Sequence, residues 1–162
     1  MRIPCLLLCA ATIVPGPAEA SELRDTTFGY SVSPPEFAEP KTGAVFTRLN
    51  VFAPPDTGFA SNMGMMVQEM AVTRDQFVDL TKAQFEAAGM KVRSSSKRTV
   101  SGQPAVVFDY EGEVRGHALR FLALAVILPE RVLLLTYTAP VATYPALEKE
   151  FKRSLETFKL AR

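Results

Sequence analysis

The sequence predicts an α+β layered sandwich, a central antiparallel sheet of about six or seven strands between helices. Three observations predict it. In the C-terminal half, four strand-like segments follow one another through connections too short for parallel crossovers. Two of those segments, FLALAVIL at 121–128 and VLLL at 132–135, are continuously apolar, as strands covered on both faces are. One segment before them and one after them switch to helical periodicity and can supply that cover.

Taken in order, residues 28–37 read FGYSVSPPEF, where Phe28, Tyr30 and Val32 alternate as in a short strand. Pro34 and Pro35 end it, because neither can donate to a sheet ladder. Residues 44–52 alternate again, with Val45, Leu49 and Val51 on one face and Phe46, Arg48, Asn50 and Phe52 on the other. Pro54, Pro55, Asp56 and Gly58 make a loop, and Asn62 to Met70 is the next strand. Thr73 is an N-cap with Gln76 three residues on, the spacing of a capping box, and Val72 and Phe77 stand at the positions of a hydrophobic staple. Phe77, Leu80, Gln84, Phe85 and Ala88 follow at helical spacing until Gly89 stops the helix, which is placed at 74–88.

Strands at 90–100, 104–111, 117–128 and 131–138 then form a meander through turns at Ser101 and Gly102, Arg115 and Gly116, and Pro129 and Glu130. A turn centred on Arg115 and Gly116 sets Glu111 opposite Arg120 and Tyr110 opposite Phe121, an ion pair on one face and an aromatic pair on the other. A closing helix follows Pro140. Thr143 can cap it, Pro145 suits its first turn, and Leu147, Phe151, Leu155 and Phe158 run down one face.

Ahead of these elements, residues 1–20 have the form of a secretory signal peptide: Arg2, an apolar run from Ile3 to Val14, then Pro15, Gly16, Pro17 and the stretch Ala18, Glu19, Ala20. The run is roughly a dozen residues, short of the about twenty that cross a hydrocarbon core. Cleavage before Ser21 is therefore expected, leaving residues 21–162 as a single α+β domain, periplasmic or secreted, with no stable membrane insertion. Acylation of Cys9 is the alternative, and the bulky Leu8 before it argues against it.

Composition removes several chemistries. Both cysteines, Cys5 and Cys9, lie in the signal peptide, so the mature chain can form neither a disulfide nor a thiolate metal site nor a cysteine nucleophile. The 18 lysines and arginines nearly balance the 17 acidic residues, and Arg2 and Glu19 leave together, so no global field favours nucleic acid. His117 is the single histidine, which rules out a multi-histidine zinc or iron site. Without a G-x-S-x-G elbow it suggests an exposed hairpin residue rather than a hydrolase.

Three constellations remain. Asp109, Glu111 and Glu113 alternate along one strand face like the start of an oxygen-ligand site for calcium or manganese, though cross-strand ion pairing is the stronger reading. Met63 and Met65, within the cluster Met63, Met65, Met66 and Met70, project to one face as a cuprous thioether site needs, though methionine also fills cores. Lys91, Arg93, Lys97 and Arg98, with Ser94, Ser95 and Ser96 between them, form the densest basic patch, a surface for an acidic partner or a guarded sheet edge. No catalytic residue and no cofactor are implied.

The order of elements and several local signatures resemble the PsbP-like fold, which includes extrinsic proteins of oxygen-evolving photosystems and DcrB-like bacterial periplasmic proteins. The matching features are FGYSVSPPEF, the strand entered through Asn62, the helix after it, Gly102 and Pro104 before VVFDY, LLTYTAP at 134–140, and the closing helix with Ser154 and Phe158. The resemblance implies a non-enzymatic binding or accessory protein that acts through a surface on an envelope or membrane-complex partner. The alternative is a periplasmic carrier of a metal ion or small ligand.

Overall fold

The structure, a computed structural model, describes residues 22–35, 41–42, 49–52 and 58–161. The segment expected to be a signal peptide, residues 44–48 of the second expected strand and the loop at Pro54, Pro55 and Asp56 lie outside them. The chain opens with strands β1 (Leu23–Asp25), β2 (Tyr30–Val32), β3 (Lys41–Thr42), β4 (Leu49–Phe52) and β5 (Asn62–Glu69). Helix α1 (Arg74–Ala87) follows, then the meander β6 (Lys91–Val100), β7 (Gln103–Val114), β8 (His117–Leu128) and β9 (Arg131–Pro140), then α2 (Tyr144–Glu156) and β10 (Lys159–Leu160).

Among the described residues the main sheet has seven antiparallel strands in the order β3-β4-β5-β9-β8-β7-β6. Its hairpins are specified locally. At Ser101–Gly102 and Arg115–Gly116 both central residues take positive φ, 48° and 83° in the first turn and 53° and 81° in the second, the geometry whose twist matches that of the flanking strands. The second turn sets Glu111 opposite Arg120 and Tyr110 opposite Phe121, the register expected from the sequence, and the two rings stack 4.7 Å apart.

α1 begins as its sequence specifies. Thr73 Oγ1 accepts from the Gln76 N–H, and the Gln76 side chain accepts from the Thr73 N–H at 2.8 Å. It ends where Gly89 takes φ 67° and the Met90 N–H reaches back to the Phe85 carbonyl. The face it buries differs from the expected one. Phe77 and Thr81 are buried and Phe85 packs beside them, whereas Leu80 is 48% exposed. Phe77, Val78 and Phe85 pack on Val106, Phe108 and Ile127 of the sheet, and that stripe leaves Leu80 turned away from it; the exposed ion pair of Lys97 with Asp75, 2.8 Å long, bridges the helix and β6.

The helices cover opposite faces. α2 with Tyr137, Leu122, Leu124 and Leu135 builds the larger apolar cluster, and α1 with Val106, Phe108, Ala125 and Ile127 builds the other. β8 and β9 contribute side chains alternately to both, which is why their sequences are continuously apolar.

Two expectations need correction. The short strand expected at Phe28, Tyr30 and Val32 forms as β2, but without a buried–exposed alternation: its three residues are all buried, in a separate sheet of order β1-β2-β10. β2 sits between β1 and the C-terminal β10 and packs Tyr30 on Phe158, ring centroids 5.7 Å apart, so its side chains are covered from both sides. Thr143 stands at the start of α2 but makes no capping bond; its own backbone is helical and its hydroxyl turns back to the Pro140 carbonyl at 3.4 Å.

Candidate functional site

The densest polar cluster lies on the α2 side of β7 and β8. Arg120 Nε and Nη2 donate to the two Asp109 oxygens at 2.9 and 2.7 Å, a bidentate pair with both side chains about 15% exposed or less. The guanidinium lies 4.2 Å from the centre of the Tyr144 ring, and Glu148 Oε1 is 3.8 Å from Nη2. The hydrogen bonds that Arg120 donates to Asp109 favour the charged guanidinium and push it further above its ordinary range. Burial raises the Tyr144 phenol, so it stays neutral.

Here the expected cross-strand ion pair is corrected in its partner. Glu111 does lie opposite Arg120, but Arg120 bonds diagonally to Asp109, while Glu111 accepts from Arg93 at 2.8 Å and lies 3.9 Å from Lys91. β6 offers Glu111 two cations, and the twist of the sheet brings the diagonal carboxylate within reach of Arg120. Asp109 and Glu111 thus share a face, each engaged by its own cation. Among the described residues no three His, Cys, Asp or Glu side chains form a group able to hold a metal ion.

The basic residues stand on β6, the edge of the main sheet, where eight of ten residues are exposed. Lys97 bonds to Asp75 of α1 on one face, and that bond lowers the Asp75 pKa. Arg98 meets Glu156 of α2 on the other, beside Arg93 and Glu111. The patch seen in sequence as one run is therefore divided between the two faces of one exposed edge.

Met63 and Met65 are fully buried in the α2-side cluster, on the same face as each other, with the Ser154 hydroxyl 3.9 Å from the Met63 sulfur. Met66, on the other face, is 36% exposed. Met90 seats its sulfur over Gly112, where a Cβ would lie only 2.2 Å away, so a side chain at this strand position would displace the end of Met90. His117 packs on Phe59, ring centroids 5.5 Å apart, at the start of β8. Tyr144 and Glu148 were missed in the sequence; their spacing of four residues on one helix face was the available signal.

No family model matches the chain, and no curated relative matches it. Solved structures do. The cyanobacterial PsbP of Synechocystis superposes with a TM-score of 0.65 at 13% identity, over 94% of this chain and 98% of that one. The Mycobacterium tuberculosis protein LpqN, described as involved in cell envelope biogenesis, gives 0.61 at 14% identity over 88% and 90%. A Pseudomonas aeruginosa protein of unknown function, described as a putative regulator, gives 0.52 at 19% identity over 85% and 94%. At these identities the likeness is one of fold, and the fold is PsbP-like.

Proposed function

We propose that this PsbP-like chain is a non-catalytic exported accessory protein that acts through a surface on an envelope or membrane-complex partner. The observation that carries the reading is the β6 edge, ten residues long, which presents Lys91, Arg93, Lys97 and Arg98 and no acidic residue of its own. Its cations sit in exposed ion pairs, which contribute little to folding and can exchange one carboxylate for another. The likeness in fold to a cyanobacterial PsbP and to a protein described as involved in cell envelope biogenesis supports the same reading. No helix among the described residues is long and apolar enough to cross a membrane.

Photocrosslinking from position 95 in envelope fractions tests the surface. Discrete adducts are expected with the wild-type chain and their loss when Lys91, Arg93, Lys97 and Arg98 are all changed to glutamine; adducts that persist unchanged would refute this surface. Intact mass of the exported protein tests the processing, with Ser21 as the expected first residue. A mass carrying a diacylglycerol on Cys9 would overturn both the cleavage site and release from the membrane.

A further inference from the structure

The small sheet sets three polar residues in one row. Arg24 of β1 lies opposite Ser31 of β2, and Lys159 of β10 lies opposite the same Ser31 from the other side. Directly opposed residues of neighbouring strands project to one face about 5 Å apart. A guanidinium, a hydroxyl and an ammonium therefore converge, and what they hold is the carboxylate of Glu22. Arg24 donates Nε to Oε2 at 2.8 Å with Nη2 at 2.5 Å from the same oxygen, and Lys159 Nζ lies 2.9 Å from Oε1. These bonds, with one from Ser31, pull the Glu22 carboxyl down to about 2. Beneath them Ser31 is 7% exposed.

The same three residues form part of the wall of an open hollow of about 470 Å³, continued by Asp25, Thr26, Gly29, Tyr30, Leu160 and Ala161. The seat thus combines donors for both oxygens of a carboxylate with an adjoining, mainly apolar hollow. Arg24 and Lys159 are more than half exposed, so their bonds to Glu22 are of the weak, exchangeable kind.

We propose that the Arg24–Ser31–Lys159 row is a binding seat for the carboxylate of an extended, partly apolar ligand, and that Glu22 occupies the seat until such a ligand displaces it. The Glu22 side chain stands in for the carboxylate of the ligand. The remainder of the ligand lies in the adjoining hollow, since the Tyr30 and Leu160 side chains turn to the core face of the sheet. A free organic acid and the C-terminus of a peptide share this chemistry. The seat lies on a different sheet from the β6 edge, so it goes beyond the accessory reading above and can fail without it.

The test uses the full mature chain and its Glu22→Gln variant, titrated by calorimetry with octanoate, with octanol, and with an acetylated leucine–alanine dipeptide as free acid and as amide. A seat filled by its own side chain about nine-tenths of the time shows about a tenth of its intrinsic affinity, so Glu22→Gln is expected to bind a carboxylate probe at least about tenfold more tightly than wild type. Adding Lys159→Met to that variant is expected to abolish the gain, and octanol and the amide are expected not to bind. Tight octanoate alone assigns a free acid, and a tight dipeptide acid assigns a peptide C-terminus. A second measurement needs no variant: the Glu22 side-chain carboxyl ¹³C resonance of wild type is expected to titrate at a higher pH in saturating octanoate. Equal octanoate affinity in wild type and Glu22→Gln with an unmoved Glu22 titration, or octanol binding as well as octanoate, would overturn the proposal.

Discussion

α1 and α2 cover opposite faces of one sheet by different means. α1 is specified at its ends, by the reciprocal Thr73–Gln76 cap and the Gly89 stop, yet buries only Phe77 and Thr81 fully and leaves Leu80 48% exposed. α2 has no side-chain cap, but Tyr144, Phe151 and Ser154 are wholly inaccessible and Leu155 nearly so. Polar bonds inside that packing fix its position: the Tyr137 hydroxyl donates to Ser154 Oγ at 2.9 Å, Ser154 Oγ donates to the Ser33 carbonyl at 2.5 Å, and Thr157 Oγ1 accepts from the Ser33 N–H at 2.8 Å. One helix is held mainly by its own sequence and the other mainly by tertiary contact. Most helical stability in proteins is of the second kind.

The largest expected effect tests the α2 half of this contrast. Phe151→Ala should cost about 3 to 5 kcal/mol in denaturant unfolding, because Tyr137 and Tyr144 pack around the ring and cannot collapse onto the gap. Phe77→Ala, at the margin of the α1 cluster, should cost less, and Lys152→Ala on the exposed side of α2 should stay within about 0.5 kcal/mol of wild type. Equal losses at Phe151 and Phe77 would break the comparison.

Next in size is Asp109→Asn, which leaves Arg120 nearly buried against Tyr144 with half of its partner charge gone. Removing one member of a buried pair costs about 3 kcal/mol or more, whereas Glu111→Gln on the exposed rim should cost under about 1. The same unfolding measurement separates them.

The caps give a smaller and sharper test. Thr73→Ala should lower stability by about 1 kcal/mol, and Thr143→Ala, which removes no capping bond, by less than about 0.5. A larger loss at Thr143 would mean that α2 too depends on its end.

The smallest effect is one of pH. The Glu22 carboxyl is lowered from 4.5 to about 2 by its bonds to Lys159, Ser31 and Arg24, so its contribution is complete above pH 4.5 and fades as pH falls toward 2. Urea unfolding of wild type and Glu22→Gln should therefore differ most at neutral pH and converge below pH 4.5.

Much of the fold was legible because its determinants are local. The cap at Thr73, the two turns with paired positive φ and the doubly apolar β8 and β9 all act within a few residues of themselves, and the structure reproduces each. Even the opposition of Glu111 to Arg120 followed from a turn. The buried face of α1 was not legible, since Leu80 and Thr81 exchange roles through the packing of Phe77 and Phe85 on Val106, Phe108 and Ile127, residues of other elements.

The sequence by itself determined the layer architecture, the hairpin registers and the ends of α1, because backbone conformation and capping answer to near neighbours. Tertiary structure decided which carboxylate Arg120 takes, that β2 leaves the main sheet to pair with β10, and that Arg24, Ser31 and Lys159 meet around Glu22. The contacts of β10 with β2 join residues more than a hundred positions apart, as Ser33 and Thr157 are, 124 residues from each other. No local pattern encodes such a meeting; it exists only once the two ends of the chain have been brought together over a common core.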